Sequence, residues 1–269
     1  MSKRSVVEKT ISQNRYHALI EKIFFDHYEE GATSIDFKRS DLKGAATDLN
    51  IVLPENLGDV IYAIRFRVPM PASILRTQPD GYEWLIELAG RALYQFRLRK
   101  ANRIVPNQNL VTIRIPDSTP EIITAYALDD EQALLAKVRY NRLIDIFLGL
   151  TTYSLQNHLR TSVKNVGQIE IDEMYIGLDK FGSHYVIPVQ AKGGSDQISV
   201  VQTSQDMRCC AEKYPGLRCR PISAQFLSSD LIALFELTIN DDEIKVVEER
   251  HYKLVPASEI DRAEVTIYR

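Results

Sequence analysis

The strongest constraint on the fold of this chain is a pair of strand-forming segments joined by one short polar turn. Residues 167–178 mix apolar and polar side chains, residues 184–192 are almost wholly apolar at their centre, and the turn between them is rich in Asp, Lys and Gly. This pattern is typical of an antiparallel hairpin. Because a strand with an apolar centre belongs inside a sheet, we expect the second segment to be a central strand.

The register of this hairpin decides which polar side chains meet. If the loop holds three residues, Asp172 lies opposite Gln190 and Glu170 lies opposite Lys192, with all four on one face. A slip of one residue scatters these groups among apolar ones, and we discount it. A slip in the other direction sets Glu173 opposite Gln190. We therefore expect the first register and keep Glu173 as a substitute for Asp172.

The polar groups of the hairpin follow one order, with Asp172 on the first strand and then Gln190-Ala191-Lys192 at the end of the second. This order resembles the motif of the PD-(D/E)xK nuclease superfamily, which includes many restriction endonucleases. In that superfamily an acid on one strand is followed, after a hairpin, by an acid, any residue and a lysine. The resemblance covers residues 129–226 and implies a restriction-endonuclease-like mixed sheet flanked by helices.

The resemblance also implies the chemistry of the site. In the superfamily the two acids hold magnesium, and the lysine positions or deprotonates the attacking water; here Asp172 and Gln190 take the metal positions and Lys192 the lysine position. Elementary chemistry agrees, because phosphodiester hydrolysis needs oxygen ligands for a hard cation and a positive charge near the phosphate. Gln190 departs from the family pattern by removing one negative charge, which Glu170 restores in the expected register.

We therefore expect Asp172, Gln190, Lys192 and Glu170 to be catalytic residues. Of these, Asp172, Gln190 and Glu170 are the expected ligands of Mg²⁺, with Mn²⁺ able to substitute. An acid from the preceding helix is either Asp145 or Glu131, and we include Asp145 as a weaker candidate. Two more polar residues follow the lysine strand in a region where related nucleases often place another active-site group: Gln202 and Gln205.

The first hundred residues show a different pattern of elements. The sequence predicts, in order, a helix over 16–28, a strand over 34–37, a helix after Ser40, a helix from Pro54 to Arg67, and a hairpin over 84–98. Helix, strand, helix, helix, hairpin is the element order of a winged helix-turn-helix, which residues 14–103 resemble. The resemblance implies a domain that binds duplex DNA.

Local charge supports a DNA-binding surface in this region. Between Val60 and Arg103 there are eight basic residues and three acidic ones, although the whole chain has a net charge of -3. A basic face of this kind can neutralise phosphates, and a solvated structural surface is the alternative. The residues that we expect to contact DNA are Arg65, Arg67, Arg91, Arg97 and Arg99 in this region, and Asn157, His158 and Arg160 farther along the chain.

Length and composition set the domain organisation. A chain of 269 residues with 45% hydrophobic residues predicts two domains of moderate size. We expect a winged helix-turn-helix over 1–105, a linker over 106–128, and an α/β (α+β) nuclease-like domain over 129–269. In the last, a long helix is predicted from Asp129, a second helix over 153–159, strands over 167–178, 184–192 and 198–201, and a helix over 203–214. The three cysteines, Cys209, Cys210 and Cys219, are expected to be unreactive thiols.

Together these patterns predict a magnesium-dependent DNA endonuclease that hydrolyses phosphodiester bonds in duplex DNA, in restriction or another DNA-defence role. No segment has the length of a membrane span or a secretory signal, so we expect a cytoplasmic protein without membrane contacts. Cutting both strands would favour a homodimer. One alternative is a non-enzymatic winged-helix regulator with a degenerate nuclease-like domain. Another is a repair nuclease that acts on branched or damaged DNA.

Overall fold

The computed structural model describes residues 3–66, 68–100, 104–127, 131–164, 166–193, 198, 200–240, 243–261, 263 and 266. The chain divides into two compact units. The first contains residues 1–101 and 164–168, and the second contains residues 102–163 and 169–269. In the described part of the chain, no helix combines the length and the apolar character needed to cross a membrane.

The first unit consists of helices packed on a three-stranded antiparallel sheet. Its elements are α1 (Lys3–His27), β1 (Ser34–Lys38), α2 (Asp41–Asp48), α3 (Gly58–Phe66), α4 (Ala72–Leu75), β2 (Tyr82–Gly90) and β3 (Leu93–Lys100), with the strand order β1-β3-β2. Phe24 of α1 lies at the centre of the core, where its ring centroid is 5.2 Å from that of Trp84 and 5.1 Å from that of Phe96. The expected order of helix, strand, helix, helix and hairpin is found, with one unpredicted short helix, α4, before the hairpin.

The third helix of this unit begins later than the sequence predicted. We expected it to start at Pro54, but α3 begins at Gly58. The reason is a turn built by Asn56, whose side-chain oxygen accepts a hydrogen bond of 3.0 Å from the backbone N–H of Gly58 and whose amide donates to Asp59 at 2.7 Å. Asn side chains that bond their own backbone two residues on favour turns over helix interiors.

The second unit is built on an eight-stranded mixed sheet flanked by helices, as expected. Its elements are β4 (Thr112–Pro116), α5 (Glu121–Tyr126), α6 (Glu131–Tyr140), α7 (Leu143–Leu148), β5 (Thr151–Val163), β6 (Gly167–Leu178), β7 (His184–Lys192), α8 (Val200–Lys213), β8 (Arg218–Cys219), β9 (Ile222–Phe226), β10 (Leu231–Asn240) and β11 (Glu243–Val255). The strand order is β4-β11-β10-β9-β7-β6-β5, with β8 also paired to β7. Strand β7 runs parallel to β9 and antiparallel to β6.

One face of this sheet packs against α6 and α7. Leu134 and Val138 of α6 share a buried cluster with Ile187 and Val189 of β7. Because side chains alternate along a strand, the next residue, Gln190, points to the opposite face, where it contacts α8. The central strand therefore has an apolar face and a face with a polar end.

Two predicted segments of this unit have different boundaries in the structure. The expected linker over 106–128 contributes β4, which pairs with β11, and helix α5. The predicted long helix is divided into α6 and α7, because Arg142 adopts a left-handed backbone conformation with φ of 49°. A left-handed residue cannot continue a right-handed helix, so the chain turns there.

The helix predicted over 153–159 is wrong, because these residues belong to strand β5. Pairing with β6 supplies hydrogen-bond partners to the backbone of β5, and this tertiary pairing outweighs local helix propensity. The strand is irregular at His158, where φ is 48°. The strand predicted over 198–201 is wrong as well, since α8 already begins at Val200.

Candidate functional site

The hairpin of β6 and β7 has the predicted register. Opposed residues, such as Glu173 and Val189, have numbers that sum to 362, as a three-residue loop requires. Beyond the pair of Glu173 and Val189, Oδ2 of Asp172 accepts a hydrogen bond of 2.9 Å from the backbone N–H of Ala191, the middle residue of the expected motif. The carboxylate of Asp172 is thus bonded across to the end of β7.

The turn that sets this register is held by Asp179. Its Oδ1 accepts hydrogen bonds from the backbone N–H groups of Phe181 at 2.8 Å and Ser183 at 2.9 Å, and the Tyr185 hydroxyl donates to its Oδ2 at 3.1 Å. These bonds, that from Ser183 foremost, lower the pKa of the Asp179 carboxyl. An ionised Asp179 therefore stabilises the loop that aligns the two strands.

Lys192 lies at the end of β7, where its side chain is 13% exposed and its Nζ is 3.9 Å from Oε1 of Glu131. Of the two helix acids considered from the sequence, Glu131 is therefore the one beside the lysine. Asp145 is engaged elsewhere, because it accepts hydrogen bonds from the backbone N–H and the hydroxyl of Thr152 and forms an ion pair of 2.6 Å with Arg142. We therefore correct the assignment of Asp145 as a weaker candidate for the site.

Gln190 has a partner that sequence reasoning missed. Its Nε2 donates a hydrogen bond of 2.6 Å to Oδ2 of Asp206 on α8. Gln190 and Asp206 are only 2% and 1% exposed. The signal that could have identified Asp206 is its spacing, because it lies three residues after Thr203 and four before Cys210 on a helix face that is buried.

Burial shapes the electrostatics of both acids on this face. Burial raises the pKa of Asp172, and the Ala191 hydrogen bond and the charge of Lys192 act in the opposite direction. Burial also raises the pKa of Asp206 well above its usual value, against the effect of the Gln190 hydrogen bond. A cation bound nearby would lower the pKa of such a buried carboxyl group and thus favour its ionised form.

Glu170 contacts the neighbouring strand β5. Its carboxylate lies 3.3 Å from Nε of Arg160 and 3.3 Å from Nδ1 of His158, both on β5. Glu170 also lies close enough to Asp172 to raise the pKa of that carboxyl group. Its assignment as a metal ligand stays a prediction.

Glu173 lies on the other face of β6 and is no substitute for Asp172. It is fully buried, and its Oε1 accepts hydrogen bonds from Nε of Arg139 at 2.9 Å and from the hydroxyl of Ser154 at 2.6 Å. Arg139 also donates to Oδ1 of Asn157 at 3.2 Å. Asn157 is thereby held by an internal partner, although it lies on an exposed stretch of β5.

The remaining polar residues predicted near the site lie on α8. Gln205 is buried and Gln202 is half-buried in its first turns. Farther along the helix, Cys209 and Cys210 are buried, and burial raises the pKa of the Cys209 thiol to about 11. The expectation of an unreactive thiol at Cys209 agrees with this environment.

In the first unit, Arg65 is a structural residue and not an exposed DNA contact. Its Nε donates a hydrogen bond of 3.0 Å to the backbone oxygen of Ile86, and burial lowers its pKa to about 10. The predicted role of Arg65 is corrected because its guanidinium is directed into the unit, toward β2. Arg67 lies outside the described residues.

The other predicted arginines differ in exposure. Arg99 forms a hydrogen-bonded ion pair with Glu87 at 2.8 Å and is 11% exposed, which makes it a poor contact for phosphates. Arg97 lies 3.9 Å from the same carboxylate and is more open, and Arg91 is exposed in the turn between β2 and β3. Arg91 is thus the most accessible of the described arginines expected to bind DNA from this hairpin.

The side chains near Lys192 include oxygen ligands that suit a hard cation such as Mg²⁺, but few of these ligands are acids. Within the described ranges, no three His, Cys, Asp or Glu side chains form a cluster that could hold a metal ion. However, the oxygens of Asp172 and Gln190 are suitable ligands, and Oε1 of buried Gln190 has no hydrogen-bond donor in the described part of the chain. Comparison with protein-family models, curated proteins and solved structures gave no match.

Proposed function

We propose that the second unit is a magnesium-dependent nuclease domain of the PD-(D/E)xK type, which hydrolyses phosphodiester bonds in duplex DNA. The observation that supports it best is the hydrogen bond between Asp172 and the N–H of Ala191. Through this bond, one carboxylate lies next to a strand end that carries an amide oxygen at Gln190 and an amine at Lys192. These groups stand at the positions of the sequence motif, with Gln190 in place of its second acid.

In the proposed reaction each residue has a separate task. Asp172 and Gln190 would hold the magnesium ion through side-chain oxygens. When bound, magnesium supplies a Lewis acid for the phosphate and favours ionisation of a water molecule. Lys192 would stabilise the negative charge that develops on the phosphate, and Glu131 would orient the Lys192 amine from a distance of 3.9 Å.

For the first unit we propose a winged helix-turn-helix that binds duplex DNA. The support is its element order together with the sheet order β1-β3-β2, in which the β2–β3 hairpin forms the wing. Exposed Arg91 at the tip of this hairpin would contact a phosphate. We also propose a restriction or DNA-defence role. The protein would act as a homodimer, which would cut both strands.

One observation favours the alternative of a non-enzymatic regulator. Gln190 is neutral, and the described residues contain no cluster of three metal-binding acids, histidines or cysteines. A domain that had lost its metal would keep the same hairpin and still bind DNA through the first unit. The two proposals therefore differ in cleavage and not in DNA binding.

The test is incubation of the purified full chain with supercoiled plasmid in Mg²⁺ and, separately, in EDTA. We expect nicked or linear DNA in Mg²⁺ alone. Lys192→Ala and Asp172→Ala should reduce cleavage by roughly a hundredfold or more while DNA binding persists. Lys245→Ala, a change on β11 three strands away from β7, is the matched control and should cleave like the parent. DNA binding without cleavage of unmodified or modified DNA would favour the regulator.

A further inference from the structure

The contact between Gln190 and Asp206 joins two side chains that are almost fully removed from water. The hydrogen bond from Nε2 to Oδ2 is 2.6 Å long, and it links the polar end of β7 to the buried face of α8. Ser223, the β9 neighbour of Gln190, is also completely buried. Buried polar groups are expensive unless each finds a partner.

This contact fixes the direction of the Gln190 amide. The NH₂ group of Gln190 donates to Oδ2 of Asp206, so the Gln190 oxygen points away from that atom. That oxygen, the Oδ1 atom of Asp206 and the hydroxyl of Ser223 are buried without a hydrogen-bond partner among the residues that the structure describes. Two of these three atoms are acceptors only, and both belong to the Gln190–Asp206 pair.

Buried oxygens left without a donor can bind a cation. Asp172 and Lys192 lie close enough to Asp206 to influence its carboxyl group electrostatically. The sequence motif lacks an acid at position 190, and Asp206 brings a carboxyl group to within hydrogen-bond distance of that position. The pair thus combines an amide oxygen that can bind a cation with a carboxyl group one hydrogen bond away.

We propose that Asp206 is a positioning residue that orients the Gln190 oxygen toward a divalent cation and, with the cation bound, supplies the negative charge that position 190 lacks. This inference rests on the proposed nuclease function and deepens it. The Gln190–Asp206 pair would act as a unit in place of the single acid of the family motif. Partners that hold a metal ligand in place commonly change metal affinity by about 10- to 100-fold when they are removed.

The test moves the charge without removing the hydrogen bond. In Asp206→Asn, the new side-chain oxygen still accepts from Nε2 of Gln190, but the charge is gone. In the double variant Gln190→Glu with Asp206→Asn, the Asn amide donates to the Glu carboxylate, so the bond reverses and the charge returns at position 190. Glu248→Gln on β11, which also removes one acid, is the control for total charge.

The readout is Mn²⁺ binding by electron paramagnetic resonance in the full chain without DNA, beside unfolding curves that verify the fold. We expect Asp206→Asn to weaken Mn²⁺ binding by about 10-fold or more. We expect the double variant and Glu248→Gln to bind Mn²⁺ with an affinity within about threefold of that of the parent. If Asp206→Asn does not fold, the double variant decides alone: parent-like binding supports the inference and lost binding overturns it.

The outcomes separate this inference from the proposed function. A parent protein that neither binds Mn²⁺ nor cleaves DNA would overturn both. Parent binding that Asp206→Asn leaves unchanged would overturn the inference while the nuclease proposal stands. Equal weakening in Asp206→Asn and in the double variant would also overturn it, because the returned charge would then have no effect on the cation.

Discussion

The carboxylate of Asp172 accepts a hydrogen bond of 2.9 Å from the backbone N–H of Ala191, and this bond joins the two halves of the predicted motif. Asp172 is mostly buried, and burial raises its pKa. Asp172 therefore holds the end of β7 through this hydrogen bond. When Asp172 is ionised, its burial lowers the stability of the fold. Groups retained at such a cost are often functional.

The first prediction concerns this cost. Because the folded-state pKa of Asp172 is raised, the folded protein binds its proton more tightly than the unfolded chain does, so stability falls as pH rises from about 4 through the raised value. Asp172→Asn keeps an oxygen for the Ala191 N–H and removes the charge. We expect a gain of about 1 kcal/mol in the free energy of unfolding of the metal-free protein at pH 7.

Urea denaturation between about pH 3.5 and 8, a range that begins near the usual carboxyl pKa and extends well above it, measures this gain. The gain should vanish toward the acid end, where the parent carboxyl is protonated as well. A variant that is less stable than the parent at pH 7 would show that the charge of Asp172 stabilises the fold.

The second prediction follows from the direction of the Arg65 side chain. Arg65→Ala removes the donor to the backbone oxygen of Ile86 and leaves space in the packing of the first unit. We expect a loss of about 1 to 3 kcal/mol in the free energy of unfolding, measured by denaturation of the full chain. Arg91→Ala, an exposed change, should stay within about 0.5 kcal/mol of the parent. Equal stability of the two variants would mean that Arg65 is a surface residue that could contact DNA.

The third prediction tests the proposed wing. If Arg91 contacts a phosphate, Arg91→Ala should reduce the slope of log affinity against log salt by about one unit. Binding of the full chain to a labelled duplex, measured in EDTA over a series of salt concentrations, gives this slope. Arg99→Ala should change it less, because Arg99 is paired with Glu87. A slope that Arg91→Ala does not alter would remove Arg91 from the DNA surface.

The fourth prediction concerns the turn between β6 and β7. The folded-state pKa of Asp179 is lowered, so its stabilising effect is present above the usual carboxyl value and is lost as pH falls through the lowered value. Asp179→Ala should therefore be less stable than the parent at pH 7, and the two should converge in acid. Thermal unfolding at a series of pH values checks this. A difference that is constant with pH would mean that the carboxylate charge has no part in the turn.

Much of the fold could be predicted from local patterns. The β6–β7 hairpin and its register follow from strand alternation and one polar turn, and the helix order of the first unit follows from apolar spacing. Strand β5 could not be predicted, because its residues are exposed on both faces and carry no period that distinguishes a strand from a helix. Its partner β6 decides its conformation.

The candidate site was predictable only along the hairpin. Asp172 and Lys192 follow from the register, whereas the partners of Glu170 depend on where β5 lies in the sheet. Helical spacing marks Asp206 as a buried position, but its contact with Gln190 could not be predicted, because that contact depends on how α8 packs on β7. Contacts between elements distant in the sequence are set by tertiary packing, which local periodicity does not encode.

The measurement that tests the central claim most directly is incorporation of oxygen from water into the cleaved DNA. Duplex DNA is incubated with the full chain and Mg²⁺ in H₂¹⁸O, and the terminal phosphates of the products are analysed by mass spectrometry. Hydrolysis of a phosphodiester by water at this site predicts one ¹⁸O atom in each new terminal phosphate, no products in EDTA, and loss of both products and label in Lys192→Ala. Labelled products at the parent rate from Lys192→Ala, or intact DNA with the parent in Mg²⁺ and Mn²⁺, would contradict the account.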